Sequence, residues 1–119
     1  MKEAPIMTKW AAEIDLEKPW NLYPRPYLER KNWMTLNGLW EYAITSTHSD
    51  RPVQMDGNIL VPYPIESAIS GVMKRVDKDD LIWYKRNLTS TKLEKSQRLI
   101  LHFEAVDWHT KIWIDDQLL

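Results

Sequence analysis

Two His–carboxylate pairs near the C-terminal end have the spacing of neighbouring metal ligands. His102 and Glu104 lie two residues apart, and so do Asp107 and His109. Residues i and i+2 share one face of a strand, so each pair would bring together two groups that bind divalent metals. Two ligands per strand without a third are a weak signal, because polar residues on a strand face are usually just solvated. We therefore predict no metal site.

A nucleophilic triad can be drawn only from Ser46, His48 and Asp50. These residues fall in one polar loop, without the nucleophile elbow or the oxyanion cradle that a reactive serine needs. The absence of cysteine excludes thiolate chemistry, and three glycines in the whole chain are too few for a glycine-rich phosphate loop. The sequence predicts no catalytic residue and no cofactor.

Three further carboxylates lie in predicted loops. Glu66 stands in "PIESAIS", and Asp79 and Asp80 precede "LIWYKRNL". Loops carry a large share of binding residues, but helix capping and solvation are the commonest roles of such side chains. Their spacing alone assigns them no reaction.

Composition limits the partners of this chain. Its 119 residues allow one domain at most, and 16 basic residues nearly balance 17 acidic ones. Without a basic run, neither a nucleic acid nor a membrane surface is an expected partner. Seven Trp and five Tyr stand beside one Phe. Trp and Tyr join a large apolar body to a polar edge, which suits a β core and equally suits sugar-facing or interface surfaces.

Residues 1–31 read as an extended arm. Its prolines fix φ and bias their predecessors away from the helix, apart from one short helical turn predicted near 8–14. These prolines are Pro5, Pro19, Pro24 and Pro26. The arm also carries aromatic residues that could pin it to a neighbouring domain, namely Trp10, Trp20, Tyr23 and Tyr27.

Residues 32–119 have the pattern of short strands separated by turns. An Asn37-Gly38 turn signal precedes the first strand, whose even positions Trp40, Tyr42 and Ile44 form one face. Residues 62–80 read as irregular, with one helical turn, and a charged turn is expected near 92–96. Strands are predicted over residues 39–45, 59–61, 81–89, 97–104 and 106–114. Such a succession is typical of an all-β sandwich or barrel.

The last predicted strand leads into a turn. Its even positions place Trp108, Ile112 and Ile114 towards a core, and Asp115-Asp116 precede a returning strand from Gln117. Aspartate tolerates positive φ less well than glycine, which disfavours a tight two-residue turn here.

Four stretches together resemble the N-terminal sugar-binding domain of glycoside hydrolase family 2, which includes β-galactosidases, β-glucuronidases and β-mannosidases. They are "YPRPYLERKNWMTLNGLWEYAI", "ILVPYPIESAISGV", "LIWYKRNL" and "RLILHFEAVDWHTKIWID". The resemblance covers about residues 8–119 and depends on the order and spacing of these pieces. One departure is Asp115-Asp116, where the family commonly has Asn-Gly.

The resemblance implies a jelly-roll, galactose-binding-like β-sandwich that packs on a catalytic TIM barrel of the same polypeptide. The two glutamates that hydrolyse the glycosidic bond with retention belong to that barrel and have no counterpart in these residues. The chain would then be a non-catalytic accessory domain bordering the sugar pocket. Its candidates for loop residues near the substrate are Glu66, Asp79, Asp80 and Trp83.

A jelly roll has about eight strands, more than the five counted here, so the sequence predicts a truncated sandwich that lacks its C-terminal strands and the following domains. The alternative is a stand-alone carbohydrate-binding or interaction module that stacks exposed Trp and Tyr on sugars. Relatives in the family imply a periplasmic or extracellular location, although no signal peptide is visible at the N-terminus.

Overall fold

The computed structural model describes residues 8–89 and 92–119. The chain divides into two compact units, Met1–Asn87 and Leu88–Leu119. Pro5 of the predicted arm lies outside the described residues. Among those residues, no helix is long and apolar enough to cross a membrane.

The chain is all-β with little helix, as its sequence predicts. In the first unit, β1 (Gly38–Ser46) is the central strand of a three-stranded antiparallel sheet. Its neighbours are β2 (Gly57–Val61) and β3 (Asp80–Lys85). The described helical segments are short: α1 (Lys9–Ala12) and the 3₁₀ turns Pro26–Leu28 and Ala68–Ser70. The sheet confirms the first three predicted strands, and α1 and the second 3₁₀ turn match the two predicted helical turns.

The core lies on the face of β1 that the alternation predicts. Tyr42 is buried there, and Trp40 and Ile44 pack against the same cluster. The loop after β2 covers this face and contributes buried Ile65 and Val72. Burial of apolar side chains on one face fixes the register, because a shift by one residue would expose all of them.

The opposite face of the sheet is smaller and more polar. Ala43 is buried opposite Trp83 of β3, and the Trp83 indole N–H donates to Thr45 Oγ1 at 2.8 Å. Glu41 pairs with Lys85 across the strands, with 3.2 Å between Oε2 and Nζ. Trp83 therefore supports the sheet through packing and a hydrogen bond.

Asn37 and Gly38 do not form the predicted turn. The Asn37 side-chain amide donates to the Pro19 carbonyl at 3.2 Å, and Gly38 begins β1 with φ of 125°. A Cβ on Gly38 would lie 2.9 Å from the Glu17 carbonyl oxygen. The pair holds the N-terminal arm against the sheet, because only an amide side chain next to a residue without Cβ allows this close approach.

Ser70 organises the loop that covers the core. Its hydroxyl, 1% exposed, donates to the carbonyls of Ile65 and Ser67 at 3.2 and 2.7 Å. It also accepts from the Val72 N–H at 3.1 Å. The loop needs these bonds because a buried backbone polar group without a partner is costly.

The second unit contains one small hairpin, formed by β4 (Trp113–Ile114) and β5 (Gln117–Leu118). Asp115 takes a φ of 52° in the connecting turn, so the tight two-residue turn forms without glycine. The charged turn is also present, closed by the Gln97 N–H on the Glu94 carbonyl at 2.9 Å.

The strands predicted over 97–104 and 106–112 are wrong. Those residues carry no strand assignment, and Trp108, expected in a core, is 89% exposed. Of the other two side chains aimed at a core, Ile112 is half-buried and Ile114 is exposed. Alternation tells which face would be apolar, but a strand also needs a neighbour for its N–H and C=O groups. Within this unit, only the short hairpin supplies such pairing.

Candidate functional site

Two of the predicted substrate-proximal residues, Asp79 and Asp80, stand where β3 begins. The Asp80 carboxylate accepts from the Asp77 N–H at 2.9 Å, and the Asp79 carbonyl accepts from the Thr47 N–H at 2.9 Å. These bonds close the turn that leads into the strand. The structure thus gives both residues a local role, with the Asp79 side chain exposed to solvent.

Glu66 acts electrostatically on β3. Partial burial raises the pKa of the Tyr84 hydroxyl above its usual 10.0, and the Glu66 carboxylate raises this pKa further. Tyr84 and Trp83 are consecutive in β3, so their side chains lie on opposite faces of the sheet. The predicted candidates are therefore divided between both faces.

The other chemistry-bearing residues also remain dispersed. No group of three or more potential metal ligands occurs in the described part of the chain. In the loop after β1, the Ser46 hydroxyl oxygen accepts a 3.4 Å hydrogen bond from the His48 backbone N–H. That contact closes a turn through the backbone instead of pairing the serine with an imidazole.

An aromatic cleft of about 590 Å³ opens in the first unit, between the arm and the loop after β2. Trp10 of α1, Trp20 of the arm and Tyr63 beyond β2 supply its rings. Charged side chains, Glu13, Asp15 and Lys18, lie along the same wall. Ligand pockets commonly have this composition, with mostly apolar walls and a few polar groups, and a volume of roughly 300–1,000 Å³.

The arm backbone sets the shape of this cleft. The Asp15 carboxylate accepts from the Glu17 and Lys18 N–H groups at 2.9 and 3.3 Å, which reverses the chain after α1. Trp20 then takes a φ of 52°, and its indole N–H donates to the Tyr63 hydroxyl at 2.7 Å. Positive φ is rare for a bulky residue and persists only where surrounding contacts hold it.

The cleft was missed as a site by sequence reasoning. The predicted arm includes Trp10 and Trp20, but as contacts to a neighbouring domain, and nothing singled out Tyr63. Trp20 and Tyr63 are 43 residues apart, so no local spacing could have joined them. The only available signal was compositional, namely the excess of Trp and Tyr over Phe.

A scan against protein-family models found no match to this chain, and a search of curated proteins found none either. The class that the structure defines is an all-β protein with an aromatic cleft beside a three-stranded sheet.

Proposed function

We propose that this chain is a non-catalytic accessory domain of a retaining glycoside hydrolase, packing on a catalytic barrel beside the sugar pocket. The proposal starts from the sequence resemblance to family 2 enzymes. It includes the finer fold, in which β1–β3 form part of a jelly-roll sandwich. The carbohydrate reaches the chain through the parent enzyme.

The observation that carries the proposal is the outward face of the arm. Leu22, Tyr27 and Leu28 are strongly exposed, with Tyr27 at 99%. Adjacent exposed apolar side chains of this size are typical of an interaction surface. A partner of matching apolar character would gain about 25 cal/mol for each Å² that it buries there.

The arm is also held in place by its other contacts, which makes its exposed face a defined surface. Asn37 holds the Pro19 carbonyl, and the Tyr23 ring lies edge-on to Trp33 with 4.9 Å between centroids. A segment that is already ordered loses less conformational entropy when a partner docks. This geometry suits a covalently linked neighbour that is always present.

The test is hydrolysis of nitrophenyl β-galactoside, β-glucuronide and β-mannoside by the product of the complete reading frame. We expect turnover of at least one glycoside by that product and none by the 119-residue chain. A complete reading frame without a barrel that carries two strand-end glutamates would contradict the proposal, as would turnover by the 119-residue chain itself.

The alternative is a stand-alone carbohydrate-binding or interaction module, which the aromatic cleft favours. The two functions differ in what the arm contacts. In an accessory domain, replacing Tyr27 and Leu28 with serine lowers the melting temperature of the complete enzyme. In a stand-alone module, the same change has no more effect than Val53→Ser, which alters a fully exposed apolar residue outside the arm.

A further inference from the structure

We propose that the cleft lined by Trp10, Trp20 and Tyr63 is a binding site for a neutral pyranose. The inference goes beyond the accessory role, because binding at this cleft requires no barrel. Failure of one proposal leaves the other standing.

The two indoles are the first argument. Trp10 is 64% exposed and Trp20 is 70% exposed, although both belong to one cleft. Large aromatic surfaces left in water gain free energy when a ligand covers them. A pyranose has an apolar face of C–H groups that fits against the electron-rich face of an indole, while its hydroxyls extend from the ring edge.

The polar groups beside the rings provide for those hydroxyls. Glu13 and Asp15 present carboxylate oxygens, which accept strong hydrogen bonds from O–H donors. The Tyr63 hydroxyl accepts from Trp20 and still has its own proton to donate. Apolar walls with acceptors and a donor at their margin match the two sides of a sugar ring.

The charges select the class of sugar. Two carboxylates and the single ammonium of Lys18 leave the wall negative by one charge. A uronic acid would bring its own carboxylate into this field and be repelled, whereas a neutral sugar pays no such penalty. Lys9 does not reverse the balance at the indoles, because its ammonium already lies over the Trp10 ring, 4.9 Å from the centroid.

The site is formed before a ligand arrives. The Trp20–Tyr63 hydrogen bond and the left-handed backbone at Trp20 fix the two rings relative to one another. A binding residue whose geometry is set in advance avoids part of the ordering cost of association. Strain at a residue that also lines a cleft is the pattern expected of a functional position.

The experiment titrates the 119-residue chain with methyl β-glucopyranoside, methyl β-galactopyranoside and methyl β-glucuronide, followed by tryptophan fluorescence and calorimetry. We expect saturable binding of at least one neutral glycoside, with a dissociation constant on the order of 1 mM, as suits one exposed monosaccharide site. The glucuronide should bind at least tenfold more weakly.

Variants locate the site. Trp10→Ala and Trp20→Ala should each weaken binding at least tenfold, whereas Trp108→Ala is the matched control, because it removes an exposed indole from the other unit and should leave affinity unchanged. Circular dichroism checks folding. Glu13→Gln should preserve the fold and weaken binding severalfold, so the test survives if a Trp variant unfolds.

Three results would overturn the inference. The first is the absence of saturable binding of either neutral glycoside. The second is an equal loss of affinity in Trp108→Ala. The third is preference for the glucuronide, or for a proline-rich peptide, over the neutral glycosides.

Discussion

Replacing Gly38 with alanine should destabilise the sheet unit and release the arm. Gly38 has φ of 125°, where L residues are strongly disfavoured, and its Cβ would meet the Glu17 carbonyl oxygen at 2.9 Å. The backbone conformation alone costs about 1–3 kcal/mol. Displacing packed backbone adds about 1 kcal/mol or more. The free energy of unfolding should therefore fall by at least about 2 kcal/mol.

Gly57→Ala is the matched control, since its Cβ meets only the Tyr42 ring at an ordinary 3.5 Å. Urea unfolding followed by tryptophan fluorescence should show a change within about 0.5 kcal/mol for this variant. Limited proteolysis should cut the arm faster in Gly38→Ala than in Gly57→Ala. Equal midpoints and equal cleavage rates in the two variants would refute the role given to Gly38.

Two other changes test the core loop and its charge. Ser70→Ala should cost about 1–3 kcal/mol of unfolding free energy, because it leaves buried backbone groups without partners, whereas exposed Ser49→Ala should be neutral in urea unfolding. An equal loss in both would contradict this. Glu66→Gln should lower the pKa of Tyr84 without restoring its usual value, because burial is the larger cause. Since the folded pKa is raised, the unfolded chain ionises first above pH 10.0, and stability falls as the pH rises towards the folded pKa. Difference absorbance of the phenolate measures the shift, with Glu94→Gln as the control. An unchanged Tyr84 titration would exclude the Glu66 contribution.

The sheet could be predicted from sequence because its signals are local. Trp40, Tyr42 and Ile44 alternate with polar or small residues, and Pro62 marks the end of β2. The same alternation around Trp108 failed, since it carries no information about a pairing partner. Local pattern identifies strands that find a neighbour, and the neighbour is a long-range property.

Asn37 and Gly38 show a second limit. The dipeptide is a strong turn signal, yet the same freedom of backbone serves a different purpose when another segment packs against it. The aromatic cleft escaped prediction for a related reason, because Trp20 and Tyr63 meet only after the arm folds back. Turn chemistry was nonetheless right at Asp115-Asp116.

Hydrogen exchange of the arm, measured in the complete protein and in the 119-residue chain, tests the central claim most directly. Docking of Leu22, Tyr27 and Leu28 on a catalytic domain predicts markedly slower exchange of residues 21–28 in the complete protein, because their amides lose access to water. The loop around Val53 should exchange equally in both. Equal exchange of residues 21–28 in the two proteins would contradict the accessory role.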